Sequence, residues 1–227
     1  MHRESVPQTL ELFPDSEAQP LDAPAQVPLA AGAVLLRGLA RPRAAALLND
    51  LQGVLDHAPL RHMLTPGGFR MSVAMSNCGA LGWVSEGTGY RSCARDPESA
   101  RPWPAMPGSF RALATLAASR AGFVSFDPDA CLVNRYEPGA RLTLHQDRDE
   151  RDFGQPIVSV SLGLPAVFLF GGAKRADKAL RVPLRHGDVV VWGGPARLRF
   201  HGVLPLADGA HARLGAQRLN LTFRRAG

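Results

Sequence analysis

Hydrophobic positions recur along this chain with two different periods. Between Arg43 and Leu55, Leu47, Leu48, Leu51, Val54 and Leu55 fall at helical spacing behind Pro42, a residue suited to a first helical turn. The same period returns from Ser109 to Ala121, with Phe110, Leu113, Leu116 and Ala117 on one face. A short apolar run, Ala31 to Leu36, reads as a strand. After Asp127 the texture changes to strand-like runs over Cys131–Tyr136, Arg141–Asp147, Ile157–Leu162, Val167–Phe170, Asp188–Trp192, Leu198–Val203 and Arg218–Phe223. Turn signals such as Pro138-Gly139, Gly171-Gly172 and Gly193-Gly194-Pro195 separate them. Short strands in series with few helices predict a mainly β fold with flanking helices (α+β), built as an antiparallel sandwich or barrel.

Two stretches lack such a period. Residues 1–27, rich in proline and acids, predict a flexible N-terminal segment, which leaves 28–227 as a single domain. Thr65 to Pro107 is full of Gly, Pro, Ser and aromatics, and predicts a long irregular segment of the lid or binding-loop kind.

The last run carries a chemical message. Side chains alternate across a strand, so Arg218, Asn220, Thr222 and Arg224 share one face and Leu219, Leu221 and Phe223 the other. Two guanidinium groups and an amide on one face can grip a dicarboxylate. A half-buried strand turning its polar side to water is the other reading of the same alternation.

Composition narrows the class. At 227 residues with 45% hydrophobic and 20% charged positions, the chain suits one soluble globular domain. No apolar run approaches the roughly 20 residues of a membrane span, and the N-terminus lacks a signal-peptide pattern. Cys78, Cys93 and Cys131 are too scattered for zinc and read as free thiols, so the cytoplasm is the expected compartment. The net charge of +6 rests almost wholly on arginine, since Lys174 and Lys178 are the only lysines. Such a balance suits a polyanionic partner.

In Arg141–Asp147, His145 and Asp147 stand two apart and project from one face. Together they are two-thirds of the two-histidine, one-carboxylate set that holds iron with coordination positions left open. A third ligand has to come from elsewhere, and His201, amid apolar neighbours, is the best-placed histidine. Upstream, Asn134 and Tyr136 share a face, and Glu137-Pro138-Gly139-Ala140 turns the chain back towards the His145/Asp147 strand.

These segments resemble the AlkB-type iron(II)- and 2-oxoglutarate-dependent dioxygenases that repair alkylated nucleic acid. The resemblance rests on Asn134-Arg135-Tyr136-Glu137-Pro138-Gly139, His145-Gln146-Asp147, Gly187 to Trp192 followed by His201, and Arg218 to Arg224. Thr65-Pro66-Gly67-Gly68, Met71 to Met75 and Trp103 to Pro107 extend it, so that it spans about Leu29 to Arg225. It implies a double-stranded β-helix (jelly-roll) core with a nucleotide-recognition lid over 62–107. It also implies His145, Asp147 and His201 as catalytic iron ligands, with 2-oxoglutarate and O2 as co-substrates. Arg218, helped by Tyr136 and Asn220, would hold the distal carboxylate of 2-oxoglutarate, with Arg224 and Asn134 near the carboxylate that chelates iron. Trp83 would stack on the damaged base opposite His145, Tyr90 would touch the nucleic-acid backbone, and Asp149 would face the base edge. Met75 and Arg175 complete the substrate side, while Trp103 reads as structural.

The implied reaction is oxidative demethylation of N-alkylated bases in single-stranded or flipped-out DNA, and in RNA. The partner would be nucleic acid, with no membrane, no obligate protein partner and a monomeric state. Phe69 stands where this branch usually has tyrosine, Thr143 replaces a smaller hydroxyl, and Arg141 and Arg148 replace lysines; these changes bear on substrate range. The competing readings are an oxygenase of the same scaffold acting on protein or a small molecule, and a non-catalytic jelly-roll binding module.

Overall fold

The computed structural model describes residues 25–87 and 89–227, so all but the last three residues of the expected flexible segment 1–27 lie outside it. The first strand, β1 (Gln26–Ala30), already begins within that segment and pairs with β2 (Ala33–Leu36). Gly32 turns the hairpin with φ +77, and a Cβ there would lie 2.4 Å from the Gly193 carbonyl oxygen, so only glycine fits. A 3-10 turn over Arg41–Arg43 leads into α1 (Ala44–His57), and α2 is Gly108–Arg120.

The segment expected to be irregular carries three strands: β3 (Ala74–Gly79), β4 (Gly82–Glu86) and β5 (Gly89–Cys93). The polar and glycine-rich composition of 65–107 hid them. Asn77 supplies part of the reason they form. Its amide accepts from the Trp83 backbone N–H and donates to the Trp83 carbonyl, both at 2.9 Å, and so ties β4 to β3.

The remaining strands are β6 (Ala130–Tyr136), β7 (Leu142–His145), β8 (Ile157–Gly163), β9 (Ala166–Phe170), β10 (Leu180–Leu184), β11 (Val189–Trp192), β12 (His201–Val203) and β13 (Arg218–Arg224). Of these, β10 escaped the sequence reading, because Pro183 and two flanking charges break its apolar run. The two predicted strands that carry the histidines are the most shortened: β7 stops at His145 and β12 starts at His201.

Three antiparallel sheets result. The major sheet has seven strands in the order β1-β2-β11-β8-β13-β6-β3; the minor has four, β10-β9-β12-β7; β4 and β5 stand apart as a pair. One face of the major sheet packs on both helices. Leu219, Leu221 and Phe223 of β13 join Val158, Val160 and Leu162 of β8 there, against Leu47 and Leu51 of α1 and Phe110 and Leu113 of α2. Across the other face lies the minor sheet, and Leu35, Ile157, Val190 and Trp192 meet Phe168, Phe170, Val182 and Leu184 in a second apolar cluster. The architecture is a jelly-roll sandwich with helices on its outer side.

This layering decides what becomes of the alternating last strand. Every residue of β13 is buried. Its leucines and Phe223 face the helices, and Arg218, Asn220, Thr222 and Arg224 face the space between the sheets. The water-facing reading of that strand is thereby excluded.

Phe110 is fully buried and meets Phe223 edge-on with centroids 5.9 Å apart. Phe110→Ala should therefore cost about 3–5 kcal/mol of stability. Urea denaturation checks this, and metal affinity of the folded protein should stay unchanged.

Candidate active site

Strand pairing brings the predicted histidines together. His201 of β12 lies directly opposite His145 of β7, with ring centroids 4.4 Å apart. Asp147 follows just beyond the end of β7. Its Oδ1 is 3.7 Å from His145 Nε2 and its Oδ2 is 3.6 Å from His201 Nε2. Donor atoms of the three residues all fall within 4.8 Å of one another, a spacing that one ion can bridge.

Backbone carbonyls set the imidazole tautomers. His145 Nδ1 lies 2.9 Å from the Thr143 oxygen and His201 Nδ1 lies 3.1 Å from the Arg199 oxygen. Each Nδ1 therefore carries a proton and donates it, which leaves Nε2, on the Asp147 side, as the ring atom available to a metal. Partial burial and the neighbouring His201 push His145 down to about 4, so it stays neutral and able to ligate. Burial opposes ionisation of Asp147, but the Arg224 guanidinium beside it outweighs that and holds the carboxyl well below the usual range.

Arg224 reaches Asp147 Oδ2 with Nη2 at 2.7 Å and Nε at 3.2 Å. It also pairs with Glu150 Oε1 at 2.9 Å, and Glu150 Oε2 lies 3.1 Å from Arg197 Nη2. Arg197 in turn donates to the Asp147 carbonyl at 3.0 Å. Burial works against the charge of Arg224, and its two carboxylate partners more than restore it. Glu150 and Arg197 were missed in the sequence. Glu150 sits in a charged run, Asp147 to Asp152, that reads as a solvated loop, and nothing near Arg197 marks it as buried.

Beside this cluster runs a polar stripe on the inner face of the major sheet. In register, Arg218 faces Tyr136, and Asn220 faces Asn134 on one side and Ser161 on the other. Asn220 donates to Ser159 Oγ at 2.8 Å and to the Val160 carbonyl at 3.0 Å. It accepts from Asn134 at 3.1 Å and from Thr222 at 2.9 Å. All its hydrogen-bonding positions are taken, so here it ties β13 to β8 and β6. Ser159 and Ser161, two apart in an apolar strand, were a readable signal that the same face is polar.

Arg218 is treated differently. It is 1% exposed, its Nη2 donates to Ser161 Oγ at 2.9 Å, and its guanidinium lies 5.0 Å from the Tyr136 ring centroid. Its Nε and Nη1 are buried with no hydrogen-bond partner in the protein. Leaving charged donors bare costs at least about 1–3 kcal/mol, so they mark a place for a carboxylate. Burial lowers the pKa of Arg218, and Tyr136 acts against that shift. Tyr136 itself is pushed up to about 12 by burial, partly countered by Arg218, and keeps its phenolic proton.

The expected substrate-side residues divide. Trp83 of β4 and Tyr90 of β5 stack at 5.4 Å and 17°, and the Trp83 indole N–H donates to Asp149 Oδ2 at 3.0 Å. A pocket of about 310 Å³ opens beside them, lined in part by Tyr90, Arg91, Asp149 and Arg151. Met75 is 2% exposed and packs in the cluster between the sheets, opposite Asn134 in the β3–β6 register. Arg175, in the loop after β9, lies over Phe200 at 5.1 Å. Trp103 is structural as expected, buried and donating its N–H to the Cys93 carbonyl at 2.9 Å.

A 2OG-Fe(II) oxygenase superfamily profile matches residues 32–224. The chain belongs to that family. It is 55% identical over 217 residues to the alpha-ketoglutarate-dependent dioxygenase AlkB of Salmonella typhimurium, covering 96% of this chain and 98% of that one. To the AlkB of Escherichia coli it is 56% identical over 218 residues, with the same coverage. The solved structure of OsALKBH1 superposes with a TM-score of 0.76 at 29% identity, over 88% of this chain and 99% of that chain. As a 2OG-Fe(II) oxygenase the protein is a dioxygenase that uses Fe(II), 2-oxoglutarate and O2. Two imidazoles and one ionised carboxylate fit Fe(II), and the bare donors of Arg218 fit a carboxylate of the co-substrate.

Arg218→Ala should raise the KM for 2-oxoglutarate at least tenfold and leave Fe(II) affinity within twofold. Because Tyr136 stays protonated to about 12, the KM should show no phenol-dependent limb between pH 7 and roughly pH 10. Comparing Tyr136→Phe with the parent across that range checks this, and the two profiles should run parallel.

Proposed function

We propose that this chain demethylates N-alkylated bases, of the 1-methyladenine and 3-methylcytosine type, in single-stranded or flipped-out DNA and in RNA. One observation supports the substrate class most directly. Asp149, two residues after Asp147, holds the indole edge of a stacked Trp83/Tyr90 pair, which ties an aromatic platform to the metal-binding loop. Tyr90 is 46% exposed and its pocket carries Arg91 and Arg151. A base taken out of its stack needs such a face, worth roughly 1–3 kcal/mol per base. Ring methylation at these positions makes the base cationic, which favours both an aromatic face and the Asp149 carboxylate. The net charge of +6, carried by arginine, suits phosphates. The AlkB name of the two enterobacterial relatives agrees with this substrate class.

In this reading His145, Asp147 and His201 hold Fe(II), and Arg218 with Tyr136 holds the distal carboxylate of 2-oxoglutarate. Asn134 and Asn220 keep that wall in place, and Arg224 steadies Asp147. Trp83, Tyr90 and Asp149 receive the base, with Met75 and Arg175 at its margin. Bound iron supplies oxygen activation. One O2 and one 2-oxoglutarate are consumed for each succinate, CO2 and formaldehyde formed, and the base leaves without its methyl group. The domain is 28–227 with its lid over 62–107, and it acts as a monomer without a protein partner. Free Cys78, Cys93 and Cys131 support a cytoplasmic setting. Among the described residues no helix is long and apolar enough to cross a membrane.

The test supplies protein, Fe(II) and 2-oxoglutarate anaerobically, then air, with a 1-methyladenine single-stranded oligonucleotide. Formaldehyde should appear in step with succinate, and Asp147→Ala should abolish both. Succinate without demethylation would point to another substrate. Trp83→Ala should raise the oligonucleotide KM roughly tenfold while leaving 2-oxoglutarate KM unchanged.

A further inference from the structure

Asp147 is gripped at both ends by one buried ring of charges. Its carboxylate takes two hydrogen bonds from Arg224, at 2.7 and 3.2 Å, and its backbone carbonyl takes one from Arg197 Nη1 at 3.0 Å. Glu150 joins those two arginines, at 2.9 Å to Arg224 and 3.1 Å to Arg197. Glu150 Oε2 meets Arg197 as an ion pair without an aligned hydrogen bond. Glu150 and Arg197 are 8% and 3% exposed. Arg197 is anchored independently by its Nε, which donates to the Gln155 carbonyl at 3.0 Å.

Two carboxylates and two guanidinium groups balance in charge, so the ring holds together in a low-dielectric interior, and removing one member strands another. Asp147 lies outside β7, with no sheet hydrogen bonds to fix it. The ring does instead what a strand would do. Its members come from three places: the loop after β7, the turn after β11, and β13. We infer that Glu150 is a positioning residue for the metal site, yoking Arg197 and Arg224 so that Asp147 presents its carboxylate to the ion in one orientation.

This rests on the reading of Asp147 as a metal ligand, and the experiment separates the two. Full-length metal-free protein is titrated with Co(II), an air-stable stand-in for Fe(II), by calorimetry and by its d–d absorption. Asp147→Ala should lose Co(II) binding. Glu150→Gln, nearly isosteric but neutral, should raise the Co(II) Kd at least tenfold and shift the d–d bands, in the range typical of groups that orient a ligand. A purely structural Glu150 would lower the urea midpoint and leave Kd and bands unmoved. Should Glu150→Gln fail to fold, Arg197→Lys keeps the charge but loses the forked grip, and should show the same rise. Unchanged Co(II) binding in Asp147→Ala would overturn the ligand assignment. Loss there with a Kd within twofold of the parent in Glu150→Gln or Arg197→Lys would overturn the inference alone.

Discussion

Two guanidinium groups are buried on one strand between two sheets, and their neighbours are arranged around that fact. An unpaired charge in such a place costs several kcal/mol, so each arginine needs an answer. Arg224 has a full one, with Asp147 and Glu150 both in contact. Arg218 has a partial one, a serine hydroxyl and the face of a tyrosine, with two donor nitrogens left bare. The difference separates structure from binding. The completed pair steadies Asp147 beside the two histidines, and the incomplete one leaves donors that a carboxylate would satisfy.

The histidines follow the same economy of means. Neither needs a carboxylate to fix its ring, because the carbonyl two residues upstream takes the Nδ1 proton in both cases. Short strands make this possible. β7 ends at His145 and β12 begins at His201, so both imidazoles stand where regular pairing gives way and a ligand can enter.

Much of this was legible before any coordinates. Alternation in Arg218–Arg224 put the right residues on one face, although it could not say that a second sheet would cover that face. His145 and Asp147 were readable from their spacing, and His201 by its apolar setting. Resemblance to AlkB-type enzymes then joined them into one site. Asn220 was readable as a member of that face, and only the register shows that it bonds Ser159, Val160, Asn134 and Thr222. Glu150 and Arg197 left no trace, because an acid inside a run of charges looks solvated until its partners are known. The strands of 74–93 were hidden for a related reason. Their polar side chains, Asn77 above all, act as cross-links to the backbone, which hydrophobic periodicity does not report.

The β4–β5 hairpin stands as a sheet of its own, joined to β3 through the Asn77 amide and to the metal loop through Asp149. Its inner side is rooted in the main fold, since Val84 is buried in the apolar cluster between the two larger sheets. Substitutions along the outer side of the hairpin can accumulate without disturbing the two hydrophobic clusters or the group of His145, Asp147 and His201. An exposed face of this kind can change its contacts while the buried group beneath it keeps its geometry.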